Sequence, residues 1–370
     1  MAKSVKVQNQ KLSMFQLHFN NQIFQRKEDF EMEGKGFPEF VEAAFTFCKA
    51  WLSGQEIFLQ QTSGSTGIPK ETELTRTQML ASAEATGAFF GTNSETQLLC
   101  CLNSAYIAGK MMLVRAMLWD CPISLVEPKS NPFQDLPKDF SPDFIAMVPL
   151  QVETCLEDFQ TLVKLKKVSN LIIGGAPVSQ NLKTRLMENN ISAWQTYGMT
   201  ETVSHIALAK IETGDSHYHT LPEVEIGQDE RGALWIKSPM SRLDKIQSND
   251  LVELTTKTSF YWLGRADFVI NSGGIKLHPE LLEQKSESLI REFFPDSRFF
   301  FFGEKDKILG ERLILILENT EPNEELAKLL QERTKSRLGN FETPKKIYFL
   351  PAFIETESGK INRLMTFNQI

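Results

Sequence analysis

Residues 62–70 read TSGSTGIPK, and the rest of the chain is best read outward from this stretch. Gly64 and Gly67 leave room for backbone N–H groups to come close to an anion. Ser63, Ser65 and Thr66 add hydroxyl donors, between Thr62 at one end and the positive charge of Lys70 at the other. Such a string suits a polyphosphate. It is not the P-loop pattern GxxxxGK[ST], because Gly67 is followed by Ile68, Pro69 and Lys70. A bare Gly/Ser string is more often a surface turn; the Pro–Lys ending sets this one apart.

Residues 98–102 (LLCCL) and 171–173 (LII) are short apolar runs, the pattern of strands buried on both faces of a parallel sheet. Residues 77–89 and 156–165 carry a helical period, and the alternation argues α/β architecture. Between residues 223 and 263, Leu234, Ile236, Leu251, Val252 and Leu254 sit among Gly227, Gly232, Ser248 and Asn249, which predicts a small β-rich region. After Gly264 the pattern restarts, with helices over 281–294 and 324–338 and strands over 298–302, 313–317 and 346–350. The expectation is an α/β protein. Residues 1–264 form a large N-terminal domain of mainly parallel sheets and helices, and residues 265–370 form a small α+β C-terminal domain.

The 370 residues are 41% hydrophobic and 24% charged, ordinary values for a globular chain of two or three domains. A net charge of -7 without any long basic run argues against a nucleic-acid surface. No apolar stretch approaches the ~18 residues of a membrane span, and the first twenty residues lack a signal-peptide core. The five cysteines form no C-x-x-C pair, and Cys100 and Cys101 should face opposite sides of a strand. Reduced core thiols in a cytoplasmic protein are therefore expected. His217 and His219 have no third ligand nearby, so a polar loop is expected there rather than a metal site.

Further motifs follow the phosphate-type string: Gly174-Gly175-Ala176-Pro177, Tyr197-Gly198-Met199-Thr200-Glu201, Asp250, Gly264-Arg265-Ala266-Asp267, Ser272-Gly273-Gly274-Ile275-Lys276 and Ser358-Gly359-Lys360. Each alone has a plain structural explanation. Together and in this order, over roughly residues 60–363, they resemble the adenylate-forming superfamily of acyl-CoA synthetases, adenylation domains and luciferases. The resemblance implies that residues 62–67 and Lys70 hold the ATP phosphates and that Gly174 to Pro177 lie beside adenine. Tyr197, Gly198 and Met199 belong to the same nucleotide site, with Tyr197 packed on the base. Thr200 would contact the α-phosphate and Glu201 would hold Mg²⁺. Asp250 and Arg265 would bind the ribose, and Asp267 would be the hinge that makes the C-terminal domain mobile. Gly273, Gly274 and Lys276 would serve the coenzyme A step, and Lys360 adenylation.

The chemistry calls for such groups independently. A carboxylate is a weak nucleophile and is repelled by a triphosphate, so in-line attack on the α-phosphorus needs alignment and charge neutralisation. Residues 197–208 and 271–276 are most similar to short o-succinylbenzoate–CoA ligases of menaquinone biosynthesis. That similarity implies a substrate with a second carboxylate, bound by analogy among Tyr106, Lys110, Arg115, Ser204 and His205. The alternatives are an aryl or medium-chain acid–CoA ligase, a carrier-loading adenylation domain and a silent nucleotide-binding protein. The expected partners are the acid, ATP and CoA, with a homodimer allowed for.

Lys360→Ala should abolish adenylate formation, by roughly 100–1000-fold, and largely spare thioester formation from a supplied acyl-adenylate. Equal loss in both half-reactions, measured separately, would give Lys360 a different role.

Overall fold

The computed structural model describes residues 14–31, 36–62, 70–134, 136–355 and 361–370. The chain opens with β1 (Gln16–Phe19), β2 (Gln22–Phe24) and α1 (Glu39–Leu52), then a separate two-stranded ribbon, β3 (Ile57–Thr62) with β4 (Lys70–Thr75). There follow α2 (Arg76–Phe90), β5 (Leu98–Cys100), α3 (Ile107–Trp119), β6 (Pro122–Leu125), β7 (Phe144–Met147), α4 (Pro149–Glu157) and α5 (Phe159–Leu165). Next come β8 (Asn170–Ile173), α6 (Gln180–Glu188), β9 (Ala193–Gly198), β10 (His205–Lys210), β11 (His217–Thr220) and β12 (Glu225–Gln228). Strands β13 (Ala233–Lys237), β14 (Ile246–Thr256) and β15 (Ser259–Arg265) complete the large sheet.

That sheet is half parallel and half antiparallel. In the order β1-β6-β5-β7-β8-β9 neighbouring strands run parallel, and in β9-β10-β11-β15-β14-β13-β12 they run antiparallel. The β-rich stretch expected over residues 223–263 is present as β12 to β15 and is continuous with the large sheet. Strand β15 pairs with β11 and carries the main sheet onward. His217 and His219 correspondingly lie in a strand rather than a loop, with His217 stacked on Tyr261. The helical run at 156–165 is broken in two because Asp158, at the end of α4, is extended and caps α5 by accepting from the Thr161 N–H.

Continuous apolar strands bury both faces of the parallel half. Cys100 faces the core shared with α1, α2 and α3, while Cys101 faces the core shared with α4 and α6. All five cysteines are buried and free. Among the described residues no helix is long and apolar enough to cross a membrane.

The remaining elements are β16 (Ile270–Ser272), β17 (Ile275–Leu277), α7 (Pro279–Phe293), β18 (Phe299–Asp306), β19 (Gly310–Glu318), α8 (Glu324–Leu338), β20 (Lys346–Leu350) and α9 (Arg363–Phe367). They build a second sheet whose two faces have their own cores, Phe301 on one side and Phe300 on the other. Removing the Phe301 ring should cost about 3–5 kcal/mol. Phe301→Ala is expected to erase hydrogen-exchange protection in β18 and β19 while β7 and β8 keep theirs. Simultaneous loss in both sheets would show that they open as one cooperative unit.

Candidate active site

The carboxyl ends of the parallel strands meet at one cavity of about 790 Å³. Leu102 follows β5, Ala146 and Met147 end β7, Gly174 to Pro177 follow β8, and Tyr197 and Gly198 end β9. Ligands of open α/β sheets bind outside such ends. The sheet passes from parallel to antiparallel between β9 and β10. On the far side α7 contributes Leu281, Gln284 and Lys285.

The connection from β9 to β10 folds back on itself. A Cβ on Gly198 would lie 2.2 Å from the Ser204 carbonyl oxygen, so only glycine fits beside the returning chain. Met199, Thr200 and Glu201 lead into the turn, where Thr202 Oγ accepts from the Met199 N–H at 3.1 Å. Val203 then takes φ 64° and ψ -53°, with Ser204 N–H donating to Thr202 C=O at 2.6 Å. This is a γ-turn of the strained hand, unusual for a β-branched residue. It delivers Ser204 and His205 to the cavity wall beside Thr200.

A polar chain of two hydrogen bonds and one ion pair runs from Tyr197 to Asp267. Tyr197 donates its hydroxyl proton to Asp250 Oδ2 at 2.6 Å, and burial, then Asp250, push its pKa well up. Asp250 is paired in register with Arg265 across β14 and β15, with Nη1 3.9 Å from Oδ1. Arg265 Nη2 donates to Asp267 Oδ2 at 2.7 Å, and Asn249 also reaches Asp267. The cavity floor and the first residues after β15 are thus tied together.

Deeper in, Arg115 of α3 is 2% exposed, with Nη2 donating to Ser204 Oγ at 3.3 Å and Nη1 near Met112 Sδ at 3.5 Å. Its Nε has no partner, and among the described residues no carboxylate forms a salt bridge with it. Burial lowers its pKa to about 10, with Cys100 opposing, so the guanidinium is charged at neutral pH. His205 lies 3.3 Å from Ser204 Oγ through Nδ1 and 3.3 Å from Thr86 Oγ through Nε2. The two other residues expected here lie elsewhere. Tyr106 is 67% exposed at the start of α3. Lys110 points to a second cavity, of about 320 Å³, and donates to Gln60 Oε1 at 2.8 Å. The helical period of α3 puts the two cations, five residues apart, on different faces.

Glu201 is an exposed single carboxylate on the turn. That donor suits Mg²⁺, which takes one or two protein carboxylates and fills its shell with water and phosphate. Among the described residues no group of three metal-ligating side chains occurs. Gly273 and Gly274 form the two-residue turn between β16 and β17, with φ 59° and 84°, and Lys276 is exposed beside it. Ser63, Gly64, Ser65, Thr66, Gly67 and Lys360 lie outside the described residues. Thr62 and Lys70 are backbone partners at the end of the ribbon. Gln195, Ser216 and Thr86 were not singled out from the sequence. For Gln195 and Thr86 the available signal was a polar residue within a strand or helix; Ser216, in the loop before β11, carried none.

The chain belongs to the AMP-binding enzyme family, whose model matches residues 19–239. It is 38% identical to an AMP-forming acyl-CoA synthetase/AMP-acid ligase II-like protein of Dyadobacter fermentans, whose crystal structure superposes with a TM-score of 0.62 over 93% of this chain and 98% of that one. The 2-succinylbenzoate–CoA ligase of Enterococcus faecalis is 25% identical over 340 residues, 83% of this chain and 69% of the relative. Bacillus subtilis O-succinylbenzoate coenzyme A synthetase, solved with ATP and magnesium ion, shares the fold at 21% identity and a TM-score of 0.71, over 84% of this chain and 69% of that one.

Burial, then Arg115, hold the His205 pKa well below 6.5, so the buried ring is neutral. The unfolded chain binds the proton near 6.5 and the folded chain does not. Stability should therefore be intact above that pH and fall as pH drops below it, by at most about 1.4 kcal/mol per unit. His205→Gln should flatten that slope in urea midpoints measured from pH 7 to pH 5. An unchanged slope would mean that the ring is not held neutral.

Proposed function

We propose that the chain is an AMP-forming acid–CoA ligase whose substrate is 2-succinylbenzoate or a close dicarboxylate. The observation that carries the substrate class is Arg115: a buried, charged guanidinium at the cavity wall that meets a hydroxyl, a thioether and the face of Phe144 and, among the described residues, forms no salt bridge with a carboxylate. A buried cation without a counter-ion is costly, so an anionic ligand group is the natural complement. The names of the curated relatives agree with this reading.

The reaction runs in two steps. The acid's carboxylate attacks the α-phosphorus of ATP, a P–O bond forms, and pyrophosphate leaves. The thiol of CoA, losing its proton, then attacks the acyl carbonyl, and AMP leaves. Lys70 and the backbone of residues 62–67 hold the phosphates; Thr200 and Lys360 align and neutralise the α-phosphate. Gly174 to Pro177 and Tyr197 enclose the base. Asp250 and Arg265 take the ribose, and the 2.6 Å bond from Tyr197 fixes the Asp250 carboxylate for that task. Mg²⁺, held by Glu201 and the phosphates, supplies further charge neutralisation. The unit beginning at Arg265 turns about Asp267 between the steps, bringing Gly273, Gly274 and Lys276 to the CoA site. Ser204 and His205 join Arg115 around the distal carboxylate. The buried free thiols suit a reducing compartment, and we assign the reaction to the cytoplasm.

Pyrophosphate release should be far faster with 2-succinylbenzoate than with benzoate or a fatty acid. Arg115→Met should raise KM for the dicarboxylate by about 10–100-fold, which is about 1.4–2.8 kcal/mol, with KM for ATP little changed. Lys110→Met should leave both within about twofold. Comparable turnover of a fatty acid would remove the dicarboxylate assignment.

A further inference from the structure

The second cavity, of about 320 Å³, shares no lining residue with the first among the described residues, and the two-step reaction makes no use of it. Ligand sites run from roughly 300 to 1,000 Å³, so this one suits a small molecule. One face of α1 forms a wall, with Ala43, Thr46, Phe47 and Ala50 at helical spacing. The two alanines leave the hollow. Phe58 of β3 lines it as well, and its ring lies 5.1 Å from Phe47 and 5.5 Å from Trp51 between centroids. The apolar wall is therefore built on buried rings.

Two polar groups line the same space. Ser104, in the loop after β5, is 1% exposed, and its hydroxyl has no hydrogen-bond partner among the described residues. The nearby Cys100 thiol points its own proton at Leu102 C=O and is a weak acceptor. Lys110 is half-buried, and Gln60 Oε1 takes one of its three donors at 2.8 Å. Among the described residues no carboxylate forms a salt bridge with it, and burial lowers its pKa. A Cβ on Gly109 would lie 2.5 Å from the Asn103 carbonyl oxygen, so the first turn of α3 rests directly on the loop that carries Ser104. That contact fixes the ammonium and the hydroxyl relative to each other.

A donor-only ammonium and an unpartnered hydroxyl beside an apolar wall complement a carboxylate with an apolar body. Inorganic phosphate would leave the apolar wall unused. A neutral apolar molecule would desolvate both polar groups without pairing them. We propose that this cavity is a binding site for a small monocarboxylate with an apolar tail, its carboxylate between Lys110 and Ser104 and its tail along Phe47 and Phe58. The site stands independently of the ligase reading of the first cavity.

The test is titration of the full chain with hexanoate, followed by ligand-observed NMR. The wild type should bind it with a Kd of about 1 mM. Hexanol, which keeps the tail, and acetate, which keeps the charge, should each bind at least about tenfold more weakly. Lys110→Met should weaken hexanoate at least about tenfold, and Lys110→Arg should largely restore it. Ser104→Ala should weaken it severalfold and carries the test if Lys110→Met fails to fold. Arg115→Met, which removes the cation of the first cavity, should leave hexanoate affinity as in the wild type. Unchanged affinity in Lys110→Met or Ser104→Ala would overturn the proposal, as would equal binding of hexanol. Loss of hexanoate binding in Arg115→Met would also overturn it, because the ligand would then lie in the first cavity.

Discussion

The close approach of two backbone segments at Gly198 governs the site. The chain leaving β9 must turn through Met199 to Val203 and return so near that a methyl group on residue 198 would collide with Ser204 C=O. Because the return is antiparallel, this is also where the parallel half of the sheet gives way to the antiparallel half. One constraint thus ends the α/β portion, opens a cavity at the strand ends, and sets Thr200, Ser204 and His205 on its wall. The γ-turn at Val203 is strained, and burial of its side chain together with the Thr202 hydroxyl bonds holds it in place.

Two buried cations give this cavity its polarity. Arg115 lines the cavity beside Ser204, whereas Lys183 of α6 is not part of its lining and reaches it through the Ser216 hydroxyl. The arrangement keeps the cations out of water, where they would be screened, and lets their donor-only character dictate which way neighbouring protons point. The neutral His205 ring fits the same logic, since burial and then repulsion from Arg115 disfavour a second positive charge there.

A third theme is continuity between the two sheets. Tyr197, Asp250, Arg265 and Asp267 form one polar chain, two hydrogen bonds joined by a 3.9 Å ion pair, from the end of β9 to the residues just after β15. On the other flank Glu287 of α7 accepts from Gln180 N–H at the start of α6. Groups that face the cavity are therefore in register with groups that anchor the C-terminal sheet.

Much of this was written in local sequence. Continuous apolar runs marked the parallel strands because burial on both faces removes alternation, and the C-terminal helix over 324–338 was legible from its period alone. The motifs at 174–177 and 197–200 and Asp250 were legible as residue types, and the structure brings them to one cavity. Sequence did not determine that β12 to β15 extend the main sheet, because strand partners far apart in the chain leave no local periodicity. Nor did it separate Arg115 from Lys110. Both are cations on one helix, and only the packing of α3 decides which is buried against the cavity and which bonds to Gln60. The polar chain from Lys183 through Ser216 to Gln195 was likewise invisible, because its members come from α6, β9 and the loop before β11, which meet only when the sheet and α6 close together.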